Sequence, residues 1–200
     1  MYLEVALLLS ALCGFVFADE TTHDVPKKGV ICSKNFCYFI QGKATYWGSA
    51  NLACQDTYAH NTLSATLLYV ADEETNRITQ QLMEPYIKAN LNASAWLTGG
   101  LFYNDKRGFQ WAEPESQPAT FTNWGRGFPD PSIKGYKYMV DPFSAVAQFA
   151  EVCKTPGAPG CQKIGKSGVE ARFYWINTAC NAELRYPICM IKDDGTFGQN

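Results

Sequence analysis

The sequence predicts an α+β domain, exported and closed by disulfides. Three observations predict it. Helical periodicity gathers in residues 44–86; the rest breaks into short aromatic strands between glycine and proline turns; and seven of the eight cysteines follow an apolar leader. Two hundred residues with 46% hydrophobic content suffice for one domain with a substantial core.

The leader comes first. Val5–Phe17 is apolar, long enough for a signal-peptide core and short for a membrane span, and Val16 and Ala18 are small residues placed for cleavage after residue 18. Glu4 stands where a basic residue is usual. Residues 1–18 are thus expected to be removed, leaving a polar segment 19–31 with Pro26, a domain over 32–191 and a tail over 192–200. No later stretch is long and apolar enough to span a membrane. A secreted, extracellular protein meets an oxidising compartment, so disulfides are favoured. Paired C-x-x-C knuckles are absent and only two histidines occur, which disfavours zinc.

Each element then has a local reason. Cys37–Gln41 (CYFIQ) alternates and is aromatic, as a strand requires. Ala44–Gln55 places Tyr46 or Trp47, Ala50, Ala53 and Cys54 at helical spacing. Ala65–Val70 (ATLLYV) is a short apolar strand. Asp72 caps a second helix, with Glu73 and Glu74 in a first turn where the macrodipole favours negative charge. Ile78, Leu82 and Tyr86 face inward along it, and Pro85 bends or ends it. Trp96–Leu101, Phe109–Trp111 and Thr120–Trp124 are short aromatic strands or loops. Residues 125–170 hold most of the prolines and glycines, a long loop region of the kind that carries function. Phe173–Asn177 (FYWIN) and Tyr186–Ile191 (YPICMI) close the domain as strands.

Charge and motif content exclude several functions. The formal net charge is −2 with no run of Lys and Arg, so the chain has no electrostatic footprint for nucleic acid. His60 stands alone after the first helix and His23 lies in the leading segment. There is no nucleophile elbow, metal-binding His pair or phosphate-cradling loop. Glu113 and Glu115 are close in sequence, as on a solvated hairpin edge. An enzyme is not expected.

Taken in order, Cys37-Tyr38, Trp47…Ala50…Cys54, Leu63…Glu74…Asn76, Trp96-Leu97-Thr98-Gly99-Gly100, Phe109-Gln110-Trp111, Asn123-Trp124, Trp175…Cys180 and Tyr186-Pro187-Ile188-Cys189 resemble the C-type lectin-like domains across about residues 32–191. That resemblance implies a double-loop fold: two helices flank small antiparallel sheets, and a long loop region, stapled by disulfides, carries the ligand site. It pairs Cys54 with Cys189, a closure worth roughly 5 kcal/mol in the chain-entropy model. For the loop staple, Cys161-Gln162-Lys163-Ile164 favours Cys161 with Cys180. The alternative closes Cys153 on Cys161, because Ala145–Phe149 (AVAQF), the strand that normally starts with cysteine in such domains, lacks it. Cys32 pairs with Cys37 or reaches another cysteine. Seven is odd, so a disulfide-linked dimer is expected.

The resemblance also locates a site. Sugar-binding members hold calcium between a Glu-Pro-Asn or Gln-Pro-Asp motif and a Trp-Asn-Asp motif. Here these read Phe128-Pro129-Asp130 and Trp175-Ile176-Asn177. Two oxygen ligands become Phe128 and Ile176, Asn177 is a neutral amide, and 131–138 holds no acid; calcium, which takes about six to eight oxygens, is not expected as a cofactor. Asp130 and Asn177 are the residues any metal would use, with Asp141 for a remodelled site. Arg126, Phe128, Asp130, Tyr136, Tyr138 and Asn177 are the candidate ligand-binding residues, joined by Lys134 and Lys137, while Trp124 fills the core beneath. Expected partners are a glycan, as for immune and adhesive members, or an extracellular or matrix protein. Asn92-Ala93-Ser94 is an N-glycosylation sequon.

Overall fold

The computed structural model describes residues 29–57, 64–89, 92–96, 101–104, 108–111, 117–130, 132–133, 143–164 and 168–195. The expected leader and Leu63, Glu113, Glu115, His23 and His60 lie outside them.

The N-terminal edge is a hairpin, β1 (Ile31–Ser33) and β2 (Phe36–Ile40), with Cys32 opposite Cys37. Lys34 turns it at φ 57°, the left-handed region. β2 begins one residue before the expected strand and is buried over its last four residues. Helix α1 (Trp47–Asp56) turns Ala50 and Cys54, one turn apart, into the core, and leaves Tyr46 and Leu52 exposed. Gln41 Nε2 donates to Ala53 O and Thr57 Oγ1, and Asn51 Oδ1 accepts from Leu67 N–H in β3 (Thr66–Leu67).

Asp72 caps helix α2 (Glu73–Ala89): its Oδ1 accepts from the Thr75 N–H at 2.8 Å and the Thr75 hydroxyl at 2.7 Å. Lys34 of the hairpin turn reaches Asp72 and Glu74, and Ser33 donates to Glu74. Ile78, Leu82, Met83 and Ile87 are buried, whereas Tyr86 is half-buried against Tyr186. Pro85 does not end the helix, which runs one further turn to Ala89. Pro85 is on the exposed face, where water can satisfy the carbonyl that its missing N–H leaves behind.

The loop-rich half is more regular than the sequence suggests. It contains β4 (Asn92–Trp96), β5 (Leu101–Asn104), β6 (Gly108–Trp111), β7 (Gln117–Pro118), β8 (Phe143–Val152), β9 (Gln162–Lys163), β10 (Glu170–Thr178) and β11 (Tyr186–Lys192). Region 125–170 therefore includes a ten-residue strand, β8, twice the length of the Ala145–Phe149 strand that the resemblance implies. β11 lies between β2, antiparallel, and β4, parallel; β8 pairs with β4, β5 and β10. Strands β5, β6 and β7 form a meander, and β9 extends β10. Two helices thus flank small, mostly antiparallel sheets, an α+β architecture. Among the described residues no helix is long and apolar enough to cross a membrane.

The main core lies between α2 and the β8–β10 ribbon, with Trp175 completely buried at its centre. The rings of Trp111, Phe121 and Trp124 meet Trp175 edge-on at 5.6, 5.7 and 5.6 Å between centroids. Trp175 Nε1 donates to Gln148 Oε1 at 3.1 Å, and Gln148, itself 0% exposed, donates to the main-chain oxygens of Phe149 and Tyr174. A buried amide is tolerable when so many of its groups are matched.

Three disulfides join described residues. Cys54–Cys189 ties α1 to β11, Cys32–Cys37 spans the first hairpin, and Cys153–Cys161 closes the tip of the β8–β10 hairpin. The last corrects the expected Cys161–Cys180 bridge. Cys161 leads into β9, which pairs with the first residues of β10, while Cys180 lies beyond that strand's far end. Nine strand residues at about 3.3 Å each separate them by about 30 Å. Cys180 is a thiol, 1% exposed, in a cluster with Ala145 and Ala147 of the cysteine-less strand.

Candidate functional site

The candidate site is built on β10. Its central residues pair with β8 along their whole length, from Ala171 opposite Val152 to Thr178 opposite Ala145, so the strand is a rigid platform. Segment 123–125 is strapped alongside it. Trp175 N–H donates to Asn123 O at 2.6 Å, Gly125 N–H to Trp175 O at 3.0 Å, and Asn123 Nδ2 to Phe173 O at 3.1 Å. Gly125 is required there: a Cβ would lie 2.4 Å from Cδ2 of the Tyr174 ring. Trp124 packs against the core, as its sequence context suggests.

Beyond the strap the chain reverses. Phe128 N–H donates to Gly125 O at 3.0 Å, and Gly127 takes φ 85°, where a side chain would be strained. Arg126 projects into solvent at this turn. The Phe128–Pro129 peptide bond is cis. The chain then meets Asn177 near the end of β10. Asn177 Oδ1 accepts from Asp130 N–H at 2.7 Å, and Asn177 Nδ2 donates to Asp130 O at 2.8 Å. The amide of a residue 4% exposed is therefore paired with both main-chain groups of Asp130.

The Asp130 carboxylate is turned elsewhere. Its Oδ1 accepts from the Ser132 N–H at 2.8 Å and the Ser132 hydroxyl at 2.7 Å, and these bonds, the hydroxyl's first, hold the carboxyl below its ordinary range. Ile133 N–H donates to Asp130 O, so the turn closes on itself. Ser132 is a contributor that the sequence reading missed, although Asp followed two residues later by Ser is a recognisable turn signature.

Among the described residues this donor set does not supply the oxygens that calcium takes. The side-chain oxygen of Asn177 and the main-chain oxygen of Asp130 are bonded to each other's donors. Phe128 and Ile176 contribute no side-chain oxygen, and the Asp130 carboxylate is exposed and engaged with Ser132. About six oxygens are needed. Among the described residues, the single metal-compatible cluster is Cys32, Cys37 and Asp193, whose two sulfurs are joined in a disulfide.

Of the candidate ligand-binding residues, the structure brings Arg126, Phe128, Asp130 and Asn177 into one loop, though Asn177 serves as its fastening. Tyr136, Tyr138, Lys134, Lys137 and Asp141 lie outside the described residues. Asn92 is the first residue of β4, in register with Glu151 of β8.

No family profile and no curated protein sequence matches the chain. Solved structures do. Human lithostathine, 19% identical, is matched over 83% of this chain and 90% of that one with a TM-score of 0.52. Herring type II antifreeze protein, 14% identical, is matched over 83% and 98% with a TM-score of 0.50. The carbohydrate-recognition domain of the mouse scavenger receptor C-type lectin, at 16% identity over 84% and 96%, has a TM-score of 0.47, and the fold assignment does not rest on it. With two flanking helices, the helix-to-last-strand disulfide and a loop strapped to β10, the chain has the C-type lectin-like fold.

Proposed function

We propose that this chain is an extracellular recognition protein that binds carbohydrate through the loop from Trp124 to Tyr138 without calcium. The observation that carries this reading is the pairing of the Asn177 amide with the main chain of Asp130. It fastens Asp130 to the end of β10 through protein contacts. Exposed Arg126 and the half-buried Phe128 ring supply a cation and an aromatic face, groups suited to sugar rings and to protein partners alike. The apolar leader and three disulfides support an extracellular setting, and Asn92 is proposed as an N-glycan acceptor.

The test is retention of the protein on a glycan array in calcium and in chelator. Equal binding in both supports the proposal, with Arg126→Ala weakening it. Binding abolished by chelator overturns it. No glycan retained in either condition moves the reading to a protein or matrix partner, for which cross-linking from Lys or Tyr of the loop is the direct assay.

A further inference from the structure

A second region has the chemistry of a ligand site. A cleft of about 590 Å³ lies between α2, residues 121–123 and Phe173 of β10, within the roughly 300–1,000 Å³ typical of small-ligand sites. A lobe of about 220 Å³ continues it along α2 and β9, sharing Arg77, Gln80, Gln162 and Phe173 with the first. Phe121 and Phe173 contribute aromatic surface to the wall.

Asn76, 6% exposed, is one of the residues that line the cleft. Its main-chain groups are satisfied: the N–H donates to Asp72 O at 3.0 Å, and the carbonyl accepts from the Thr79 hydroxyl at 2.6 Å. Its side-chain Oδ1 accepts no hydrogen bond among the described residues. A buried amide oxygen without a donor is unfavourable, and turning the Asn76 amide toward the cleft would let a ligand's donor reach it.

The lining narrows the ligand class. An anion would find two cations, Arg77 and Lys163, outnumbered by the carboxylates of Glu73, Glu74 and Glu84. A metal would find Glu74 already held by Lys34 and Ser33. A purely apolar ligand would leave Asn76 Oδ1 unmatched and desolvate Gln80 and Gln162. A neutral ring with hydroxyls on its edge and C–H groups on its face meets all of these requirements: the amides exchange hydrogen bonds with the hydroxyls, and the phenyl rings pack on the face. We propose that the α2–β10 cleft is a calcium-independent saccharide site separate from the loop, and that its two lobes accommodate more than one sugar residue.

The test is titration of isotopically labelled full-length protein in chelator, followed by amide NMR. The probes are methyl glycosides of glucose, galactose, mannose and N-acetylglucosamine, with cellobiose, lactose and chitobiose. The expected result is saturable movement of the Asn76, Gln80 and Gln162 side-chain amide signals by at least one probe. A disaccharide should bind more tightly than its methyl glycoside. Gln80→Ala with Gln162→Ala, at a half-buried and an exposed position, should weaken that binding about tenfold, whereas Arg126→Ala leaves it unchanged. Signals that stay in place across the panel, or affinity that survives the double substitution, overturn the proposal. The loop reading fails separately, when signals of residues 124–130 do not respond to array-selected glycans and Arg126→Ala has no effect on them.

Discussion

Replacing Asn177 tests how the loop is held. Asn177→Ala removes two hydrogen bonds, at 2.7 and 2.8 Å, from a side chain 4% exposed. Each such bond contributes about 0.5–1.5 kcal/mol net, so the expected loss is about 2 kcal/mol. For a chain of this size that lowers Tm by roughly 4–8 °C. Asn177→Asp is the more informative change, because it restores the acid of the sugar-binding pattern. The carboxylate still accepts from Asp130 N–H, but its other oxygen now faces Asp130 O with no proton between them, in a site closed to water. We expect a loss larger than that of the alanine variant, partly recovered on acidification as the new carboxyl regains a proton and can donate. Calcium should not raise Tm for the wild type or for either variant, since a ligand stabilises only the state that binds it. Thermal melts with and without calcium measure all three. A neutral Asn177→Ala, or an Asn177→Asp variant that calcium stabilises, would refute the account of the loop as fastened by this amide.

Other contacts in the molecule lead to further expected outcomes. The Asp72 carboxyl is held at about 2, against an ordinary 3.8, by the Thr75 hydroxyl and N–H and then by Lys34. Because the folded value is depressed, the stabilisation is full above the ordinary value and lost as pH falls through about 2. With Asp72 nearly half-exposed, solvent screening limits it to about 1 kcal/mol; the Asp72→Ala deficit in urea midpoint should therefore be present at neutral pH and vanish near pH 2. Gln148→Leu leaves the buried Trp175 N–H without its acceptor and should cost about 1–3 kcal/mol, with a changed near-ultraviolet circular dichroism spectrum; an unchanged melt would contradict the network. Replacing Cys153 and Cys161 by serine should cost about 2.5 kcal/mol, against about 5 kcal/mol for Cys54 with Cys189, from the loop lengths they close. Peptide mapping that found Cys161 joined to Cys180 would contradict the register of β9 and β10.

The parts of the fold legible in the sequence are those set by neighbours in the chain. Asp72 caps α2 because the acceptor and the orphan N–H of Thr75 are three residues apart, and Ala50 and Cys54 face inward because one helical turn separates them. Pro85 misled because its cost depends on which face it occupies, and an exposed carbonyl finds water. β8 was legible only through the resemblance: Ala145, Ala147 and Ala150 have modest strand preference alone, and small side chains suit a strand with partners on both edges. Gln148 is one polar residue in a run of weak strand formers, and only its burial beside Trp175 reveals its role. The cysteine pairing turns on which end of β10 each sulfur reaches, a matter of register that spacing does not encode. At the loop, the loss of oxygen ligands could be read directly from Phe128 and Ile176. That Asn177 fastens the main chain of Asp130 could not, since the two are 47 positions apart.

The placement of β11 has a consequence for how the molecule comes into being. This strand lies between β2 and β4, and its Cys189 is the mate of Cys54, so the elements made first have an empty berth until nearly the last described residues have been synthesised. During translation α1 and the first hairpin can form locally, but the edge of β2 stays open and Cys54 stays a reactive thiol. Long-range closure of this kind is slow and leaves exposed strand edges in the interim. A chain truncated before Tyr186 should therefore fail as a whole rather than lose one strand, and its dependence on chaperones and thiol-oxidising catalysts should be greatest just before that strand emerges.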